Sequence, residues 1–127
     1  MATSEDALPN DAMRAEMDQR LRAERAVALD QIAVLSGQLE SIISASADVA
    51  TDDEHDPEGQ TIAFERAQTS ALLERARIRI ADIDAAHDRL AIGTYGICEA
   101  CGRPIGIERL QARPAARTCI GCASRTR

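Results

Sequence analysis

The four cysteines of this chain form two Cys-x-x-Cys pairs, and they constrain its fold more than any other feature. Residues 102–118 separate the two pairs. Each pair places two thiolates on one tight turn, and the segment between them is long enough to bring both turns to one ion. The spacing therefore predicts one structural Zn²⁺ with four ligands: Cys98, Cys101, Cys119 and Cys122.

A redox pair or a set of disulfides is the competing interpretation, because Cys-x-x-Cys motifs also lower thiol pKa in oxidoreductases. A thioredoxin-like protein needs one such motif among alternating strands and helices, and this sequence has no such alternation. Four cysteines also fill the tetrahedral shell of zinc, so no position stays open for an activated water. We therefore expect a structural metal and not an enzyme.

The composition favours long helices over a bulky globular core. Phe64 and Tyr95 are the only aromatic residues of the chain, and tryptophan is absent. Most apolar residues are Ala, Leu and Ile, which suit amphipathic helices. The N-terminus lacks the pattern of a secretory signal, and no stretch approaches the length of a membrane span. We expect a cytoplasmic protein without membrane association.

Charge is distributed unevenly along the chain. The formal net charge is −6, and four thiolates around a divalent cation add about two further negative charges. This balance does not favour general attraction to nucleic acid, and no sequence-specific DNA binding is expected. Acidic residues crowd one internal segment, whereas arginines occupy the C-terminal end: Arg103, Arg109, Arg113, Arg117, Arg125 and Arg127.

Heptad spacing predicts a first long helix from Asp11 to about Ala47, which Asn10 or Asp11 can cap. Gly37 and Arg25 weaken the pattern locally without ending the helix. The apolar stripe consists of Leu21, Ala28, Leu35 and Ile42 at one seven-residue interval, with Ile32 and Leu39 at the intermediate position.

The periodicity disappears between residues 48 and 59, where acidic residues, Pro57 and Gly59 predict a turn. Proline suits a first helical position, so Asp56 can cap a second helix from Pro57 to about Ile92. Its stripe consists of Ile62, Ala76, Ile83 and Leu90, with Leu73, Ile80 and His87 at the intermediate position.

Matching stripes on consecutive helices predict an antiparallel coiled-coil hairpin in a mainly α protein. The predicted organisation is a flexible leader over residues 1–10, a hairpin over 11–92 with an acidic tip at about 48–59, and a four-cysteine zinc finger over 93–127. Ile105, Ile107 and Leu110 are expected to fill the space beside the metal. We expect a monomer, although heptads also permit pairing between chains.

The order of hairpin and cysteine module resembles the DksA/TraR family of bacterial transcription factors. Three segments carry the resemblance: Tyr95-Gly-Ile-Cys-Glu-Ala-Cys-Gly102, Ile105-Gly-Ile-Glu-Arg-Leu-Gln-Ala-Arg-Pro114 and Cys119-Ile-Gly-Cys122. It is specific over residues 93–122 and rests on architecture over residues 11–92. The resemblance implies a protein that binds RNA polymerase directly and inserts its hairpin into the secondary channel.

The acidic tip is the segment that this resemblance places near the catalytic centre of polymerase. Carboxylates there can hydrogen-bond mobile elements or perturb the magnesium ions of phosphoryl transfer. Family members carry Asp-x-x-Asp-x-Ala at the tip, and of this pattern only Asp56 is matched here. A merely solvated turn is the alternative. The expected polymerase contacts are Asp52, Asp53, Glu54, Asp56 and Glu58.

Two other functions stay open from the residues. One is a zinc-ribbon module that binds nucleic acid through its arginine-rich end and uses the hairpin for dimerisation, although missing aromatic platforms weigh against it. The other is a stimulator of transcript cleavage, in which tip carboxylates assist the nuclease reaction of polymerase as metal ligands.

Overall fold

The computed structural model describes residues 7–47 and 57–125, and its secondary structure is almost entirely helical. Two long helices, α1 (Asp11–Ala47) and α2 (Pro57–Ile92), precede two short ones, α3 (Ile107–Ala112) and α4 (Ile120–Arg125). One isolated antiparallel bridge joins Ile97 to Pro104. The predicted fold class, a helical hairpin followed by a small four-cysteine module, is confirmed.

Local interactions explain where the long helices begin and end. The Asn10 side chain accepts a hydrogen bond from the Met13 backbone N–H at 2.8 Å, which makes Asn10 the N-cap of α1. At the C-terminal end of α2, the backbone N–H groups of Gly93 and Thr94 both donate to the Arg89 carbonyl at 2.9 Å. Gly93 has φ 86°, a left-handed conformation that ends helices at little cost for glycine. The expected cap of α2, Asp56, lies outside the described residues.

The chain divides into two compact units, and each long helix contributes to both. The first unit comprises Met1–Ala26 and Ile80–Arg127, and the second comprises Val27–Arg79. The first unit pairs the earlier part of α1 with the later part of α2, and the second pairs the later part of α1 with the earlier part of α2, as an antiparallel arrangement requires. The boundary between hairpin and zinc finger after residue 92 stays a prediction. Helix α2 ends at Ile92, and the two compact units divide both long helices.

A continuous core in the first unit joins the helices to the cysteine module. Fully buried side chains from α1, α2 and α3 meet here because each helix turns an apolar stripe inward. Of the three residues expected beside the metal, Ile105 and Leu110 are buried and Ile107 is half-buried. The core contains Met17, Leu21, Ile83, Ala86, Tyr95, Cys98, Ile105, Leu110, Ala116 and Cys122.

Three residues of this unit are buried although they lie outside the predicted stripes. Met17 and Ala86 are fully buried, and Arg89 is 8% exposed. A two-helix pair buries only its shared seam, but here the cysteine module covers a further face of the helices. The heptad pattern carries no information about that cover.

The second unit buries its stripes less deeply. Ala28, Leu73 and Ala76 are buried, and the remaining predicted stripe positions are half-buried: Ile32, Leu35, Leu39, Ile42 and Ile62. Thr69 is also buried, and it occupies the heptad position between Ile62 and Ala76 that the apolar pattern had skipped.

Residues 7–10 of the segment expected to be a flexible leader are described, and Pro9 among them is buried. A methyl group placed on Gly96 would lie 2.7 Å from the Pro9 Cδ and 3.5 Å from a Leu110 methyl carbon. Gly96 also has φ 94°, which disfavours any other residue. The absence of a side chain at Gly96 therefore lets Pro9 pack against the cysteine module.

By length and composition α1 passes a test for a membrane-spanning helix. An 18-residue window of it has mean hydropathy 1.3, and 6% of that window is buried. This differs from the expectation that no stretch approaches the length of a span. It is weak evidence, because helices of soluble proteins pass the same test.

Candidate metal centre

The four cysteine side chains converge on one point in the first unit. Their sulfur atoms all lie within 4.8 Å of one another, and the Cys101 and Cys119 sulfurs are 3.9 Å apart. Tetrahedral zinc with Zn–S bonds of about 2.3 Å requires sulfur–sulfur distances of about 3.8 Å. The arrangement of Cys98, Cys101, Cys119 and Cys122 therefore fits a zinc ion.

A tight backbone turn positions the first pair. The Cys98 N–H donates to the Arg103 carbonyl at 2.8 Å, and the Gly102 N–H donates to the Cys98 carbonyl at 3.0 Å. The Ile105 N–H extends this ladder to the Gly96 carbonyl at 2.8 Å. These bonds hold both sulfurs of the pair on the same side of the turn.

The second pair is positioned by the start of α4. Cys119 immediately precedes this helix, and its carbonyl accepts a hydrogen bond from the Ala123 N–H at 2.9 Å. Cys122 lies in the first turn and is buried. A single backbone bond, from the Glu99 N–H to the Arg117 carbonyl at 2.9 Å, joins the first turn to the segment that leads into the second pair.

The thiols of the cluster differ in their affinity for protons. Burial alone would raise the pKa of Cys98, but backbone hydrogen bonds at Cys119, Cys101 and Ala100 outweigh it and lower that pKa to about 6. A backbone hydrogen bond at Cys122 lowers the pKa of Cys119. Side-chain hydrogen bonds with Cys119 and Cys101 raise the pKa of Cys122 to about 12. Because cysteine binds zinc as a thiolate, zinc held by these four residues would displace the Cys122 proton.

Hydrogen bonds from polar side chains stabilise the cysteine module. The Tyr95 hydroxyl donates to the Pro114 carbonyl at 2.7 Å, and burial raises the Tyr95 pKa to about 12. The Arg109 Nε donates to the Thr118 carbonyl at 2.8 Å. Arg109 therefore makes a structural contact within the module.

Sequence reasoning missed the arginines that connect the module to α2. Arg89 contacts Glu99 and the Ala116 carbonyl, and the Arg117 Nε donates to an Asp82 carboxylate oxygen at 2.8 Å. Heptad analysis treats arginines as solvent-facing, so no signal in the pattern marks these two as buried or bridging.

Most of the predicted polymerase-contacting residues lie outside the described part of the chain. This applies to Asp52, Asp53, Glu54 and Asp56. Glu58 is described: it is exposed and lies in the first turn of α2, where a carboxylate complements the helix dipole. Its role in binding polymerase stays a prediction.

Comparison with known families agrees with this centre. Residues 93–126, which include all four cysteines, match the family described as prokaryotic dksA/traR C4-type zinc finger. The clustered cysteines and this match indicate a structural zinc, as predicted.

Similar proteins extend the likeness beyond the cysteine module. A segment of 61 residues, 48% of this chain, is 41% identical to the RNA polymerase-binding transcription factor DksA of Caulobacter vibrioides and covers 43% of it. A segment of 49 residues, 39% of this chain, is 43% identical to the factor of the same name in Haemophilus influenzae and covers 34% of it. The matched segments thus span less than half the length of these relatives.

A solved structure is similar over almost the whole chain. Transcription factor DksA2 from Pseudomonas aeruginosa matches with a TM-score of 0.70 and 28% identity, over 92% of this chain and 84% of that one. The long helices, the sulfur cluster and these likenesses agree with the resemblance found in the sequence. Residues 93–126 therefore carry a zinc finger of the DksA/TraR type, and the chain as a whole is similar to a DksA2 structure, which supports the resemblance to this family.

Proposed function

We propose that this protein regulates transcription by binding RNA polymerase directly. The observation that carries the proposal is the structural similarity to DksA2 over 92% of the chain. Relatives of 41% and 43% identity over shorter segments are named RNA polymerase-binding transcription factors, which supports the same partner.

In this proposal the acidic segment at residues 48–59 enters the secondary channel of polymerase. The zinc module packs on the N-terminal part of α1 and the C-terminal part of α2 and stabilises the hairpin there. Carboxylates brought close to a magnesium-dependent centre act through hydrogen bonds and electrostatics, without a covalent step. The proposed contacts are Asp52, Asp53, Glu54, Asp56 and Glu58.

The zinc plays a structural part, and the protein is proposed not to be an enzyme. A cluster of four sulfur donors fills a tetrahedral shell, so zinc held there has no free position at which to polarise a substrate. Regulation would come from altered polymerase activity. We further propose a cytoplasmic monomer that acts without a membrane partner.

Nucleic-acid binding by the C-terminal end has less support. Bases stack on exposed aromatic rings, but Tyr95 is 4% exposed and its hydroxyl is bonded to Pro114. The Arg109 guanidinium donates to the Thr118 carbonyl and the Arg117 guanidinium to the Asp82 carboxylate of α2, so both groups have partners within the protein. The net charge of −6 also opposes association with phosphate backbones.

Copurification with core RNA polymerase tests the partner. We expect zinc-loaded protein to comigrate with core polymerase in gel filtration, and an excess of an established secondary-channel factor to displace it. Absence of comigration at micromolar concentrations of both proteins would contradict the proposal. Retention on DNA alone, lost at raised salt, would instead favour the nucleic-acid module.

A charge-neutralising double variant, Asp53→Asn with Asp56→Asn, tests the acidic segment. We expect binding to polymerase to persist and transcript yield from a defined promoter to change, because the carboxylates act after docking. Asp30→Asn with Glu40→Gln is the matched control, since it removes the same charge from exposed positions of α1. Equal yields from all three proteins would remove the role proposed for the segment. RNA shortening in stalled complexes would identify the cleavage-stimulating alternative.

A further inference from the structure

We propose that Arg89 is a positioning residue for the metal site, and that its contacts make zinc binding and the packing of the cysteine module on α2 depend on each other. This inference is independent of polymerase binding. It concerns side chains of the first unit alone.

The Arg89 guanidinium contacts both halves of the cysteine module. One terminal nitrogen, Nη1, donates to a Glu99 carboxylate oxygen at 3.3 Å, and Glu99 lies between the two cysteines of the first pair. The other, Nη2, donates to the Ala116 carbonyl at 3.3 Å, in the segment that leads to the second pair. One side chain of α2 therefore bridges two segments that the metal also joins.

Arg117 completes this arrangement from the module side. Its Nε donates to the Asp82 carboxylate of α2 at 2.8 Å, and its Nη1 lies 3.7 Å from the same Glu99 oxygen that Arg89 contacts. Its carbonyl accepts the Glu99 N–H. The Glu99 carboxylate thus lies between two guanidinium groups, one from α2 and one from the second half of the module.

Burial makes Arg89 dependent on these partners. Its side chain is 10% exposed, and its Nε is buried without a hydrogen-bond partner among the described residues. A buried guanidinium is costly unless its hydrogen bonds are made, and both acceptors of Arg89 belong to the module. Without metal, the Glu99–Arg117 backbone bond and the contacts around it must hold the two halves together. Separation of the halves would deprive Arg89 of one acceptor or both.

Thermodynamic linkage turns this geometry into a reciprocal effect. If correct placement of Glu99 and Ala116 stabilises Arg89 in its buried position, then Arg89 must favour the arrangement in which the cysteines bind zinc by the same factor. A zinc–thiolate cluster with four cysteines also carries about two negative charges, which nearby cations stabilise. Groups that hydrogen-bond directly to a metal ligand typically change metal affinity by about 10- to 100-fold, and Arg89, whose partners flank the cysteines, should act at the lower end of this range.

The test compares zinc affinity in Arg89→Met and Arg75→Met, with the full chain and a chromophoric chelator as competitor. Both variants remove one arginine charge from α2, but Arg75 is exposed. We expect Arg89→Met to weaken zinc binding by about 10-fold or more, and Arg75→Met to bind zinc as the unchanged protein does. Equal affinity of Arg89→Met and Arg75→Met would overturn the inference.

Hydrogen exchange tests the reciprocal effect, namely whether bound zinc stabilises the packing of the cysteine module on α2. Removal of zinc from the unchanged protein should accelerate amide exchange in residues 80–92 as well as in the cysteine module, and zinc-loaded Arg89→Met should already exchange faster there. Unaltered exchange in residues 80–92 after complete zinc removal would contradict the coupling.

Glu99→Gln provides a variant that keeps the buried arginine in place. The Glu99 side chain is 46% exposed, so this change does not endanger the core. It should weaken zinc binding in the same direction, and the double variant with Arg89→Met should lose less than the product of the two single effects. If Arg89→Met does not fold, unchanged zinc affinity in Glu99→Gln is sufficient to reject the inference.

Discussion

The two compact units contain parts of the same two helices, yet they bury those helices to different depths. In the first unit, Leu21 and Ile83 are completely buried in a core that also contains residues of the cysteine module. In the second unit, Leu35 and Ile62 occupy equivalent stripe positions and are only half-buried. Two helices alone leave the edges of their seam in solvent, whereas a third packed element closes those edges.

The comparison teaches that heptad pattern does not determine burial. Both units satisfy the same spacing, but the one with a metal centre has the larger set of fully buried side chains. Exposed apolar residues are correspondingly prominent in the second unit, where Phe64 is 68% exposed and Val34 is 60% exposed. The stability of the first unit should therefore depend on zinc and on core volume, and that of the second on helix propensity.

Zinc removal should have the largest effect on stability. It should affect the first unit more than the second. Structural zinc binding in small domains contributes on the order of 10 kcal/mol. We expect Cys98→Ser to abolish stoichiometric zinc binding and to remove exchange protection across residues 93–125, while amides of residues 27–47 are affected less. Metal analysis and hydrogen exchange measure both outcomes. Ala100→Ser, an exposed change in the same turn, should retain zinc. Equal loss of protection in both units would break the comparison.

A matched pair of truncations on α1 tests the difference in burial. Leu21→Ala should lower the free energy of unfolding by about 2 to 5 kcal/mol, because it leaves a cavity in a closed core. Leu35→Ala should cost less, about 1 to 2 kcal/mol, since half of the side chain already contacts water. Urea unfolding of the zinc-loaded proteins measures both values. Similar costs at the two positions would mean that the seam is equally closed in both units.

Tyr95→Phe tests the contribution of the Tyr95–Pro114 hydrogen bond to the stability of the first unit. Loss of the hydroxyl leaves the Pro114 carbonyl without this donor and should cost about 1 to 2 kcal/mol. Burial raises the Tyr95 pKa from 10.0 to about 12, so the folded state holds the phenolic proton more tightly than the unfolded state. This stabilising contribution is complete below pH 10 and is lost as pH rises through about 12.

The pH dependence distinguishes this origin from a simple packing defect. Between pH 10 and 12 the stability difference between the unchanged protein and Tyr95→Phe should narrow, as measured by urea unfolding across that range. A constant difference would show that the hydroxyl is equally acidic in both states. Tyr95 would then not be buried as described.

Gly37→Ala should have the smallest effect and the opposite sign. Apart from its chain neighbours and the adjacent backbone of α1, no atom of the described residues lies within 4 Å of a methyl group added at Gly37, so the change should stabilise the helix by about 0.5 to 1 kcal/mol. Gly96→Ala is the contrasting control, because its methyl group would lie 2.7 Å from Pro9 and its backbone has φ 94°. Thermal unfolding should rise for the first variant and fall for the second. Destabilisation by Gly37→Ala would show that this position is closely packed.

Much of the helical framework was predictable because its signals are local. The bounds of α1 and α2, Asp11–Ala47 and Pro57–Ile92, are those expected from heptads, caps and the proline. Every predicted stripe residue is buried or half-buried in the described helices. The burial of Thr69 was not predicted because the stripes were identified from apolar residues alone. Its position nevertheless lies seven residues from both Ile62 and Ala76.

The contacts around the metal were only partly predictable. The zinc site was predictable from the cysteine spacing, since a tetrahedral ion needs two thiolates from each of two tight turns. No spacing pattern in the sequence marks Arg89, Arg117 or Pro9 as contacts of the cysteine module. Their roles depend on segments distant in sequence, such as Glu99 and Gly96, and no periodic pattern connects them.

The amino-acid sequence by itself determined the two helices, the register of their apolar stripes and the four sulfur donors, because each depends on spacing along the chain. Only the tertiary structure decided which face of the helices the cysteine module covers, and it thereby made Met17, Ala86 and Arg89 interior. The physical reason is that burial depends on a third surface in space, whereas a heptad specifies only the side on which two helices meet.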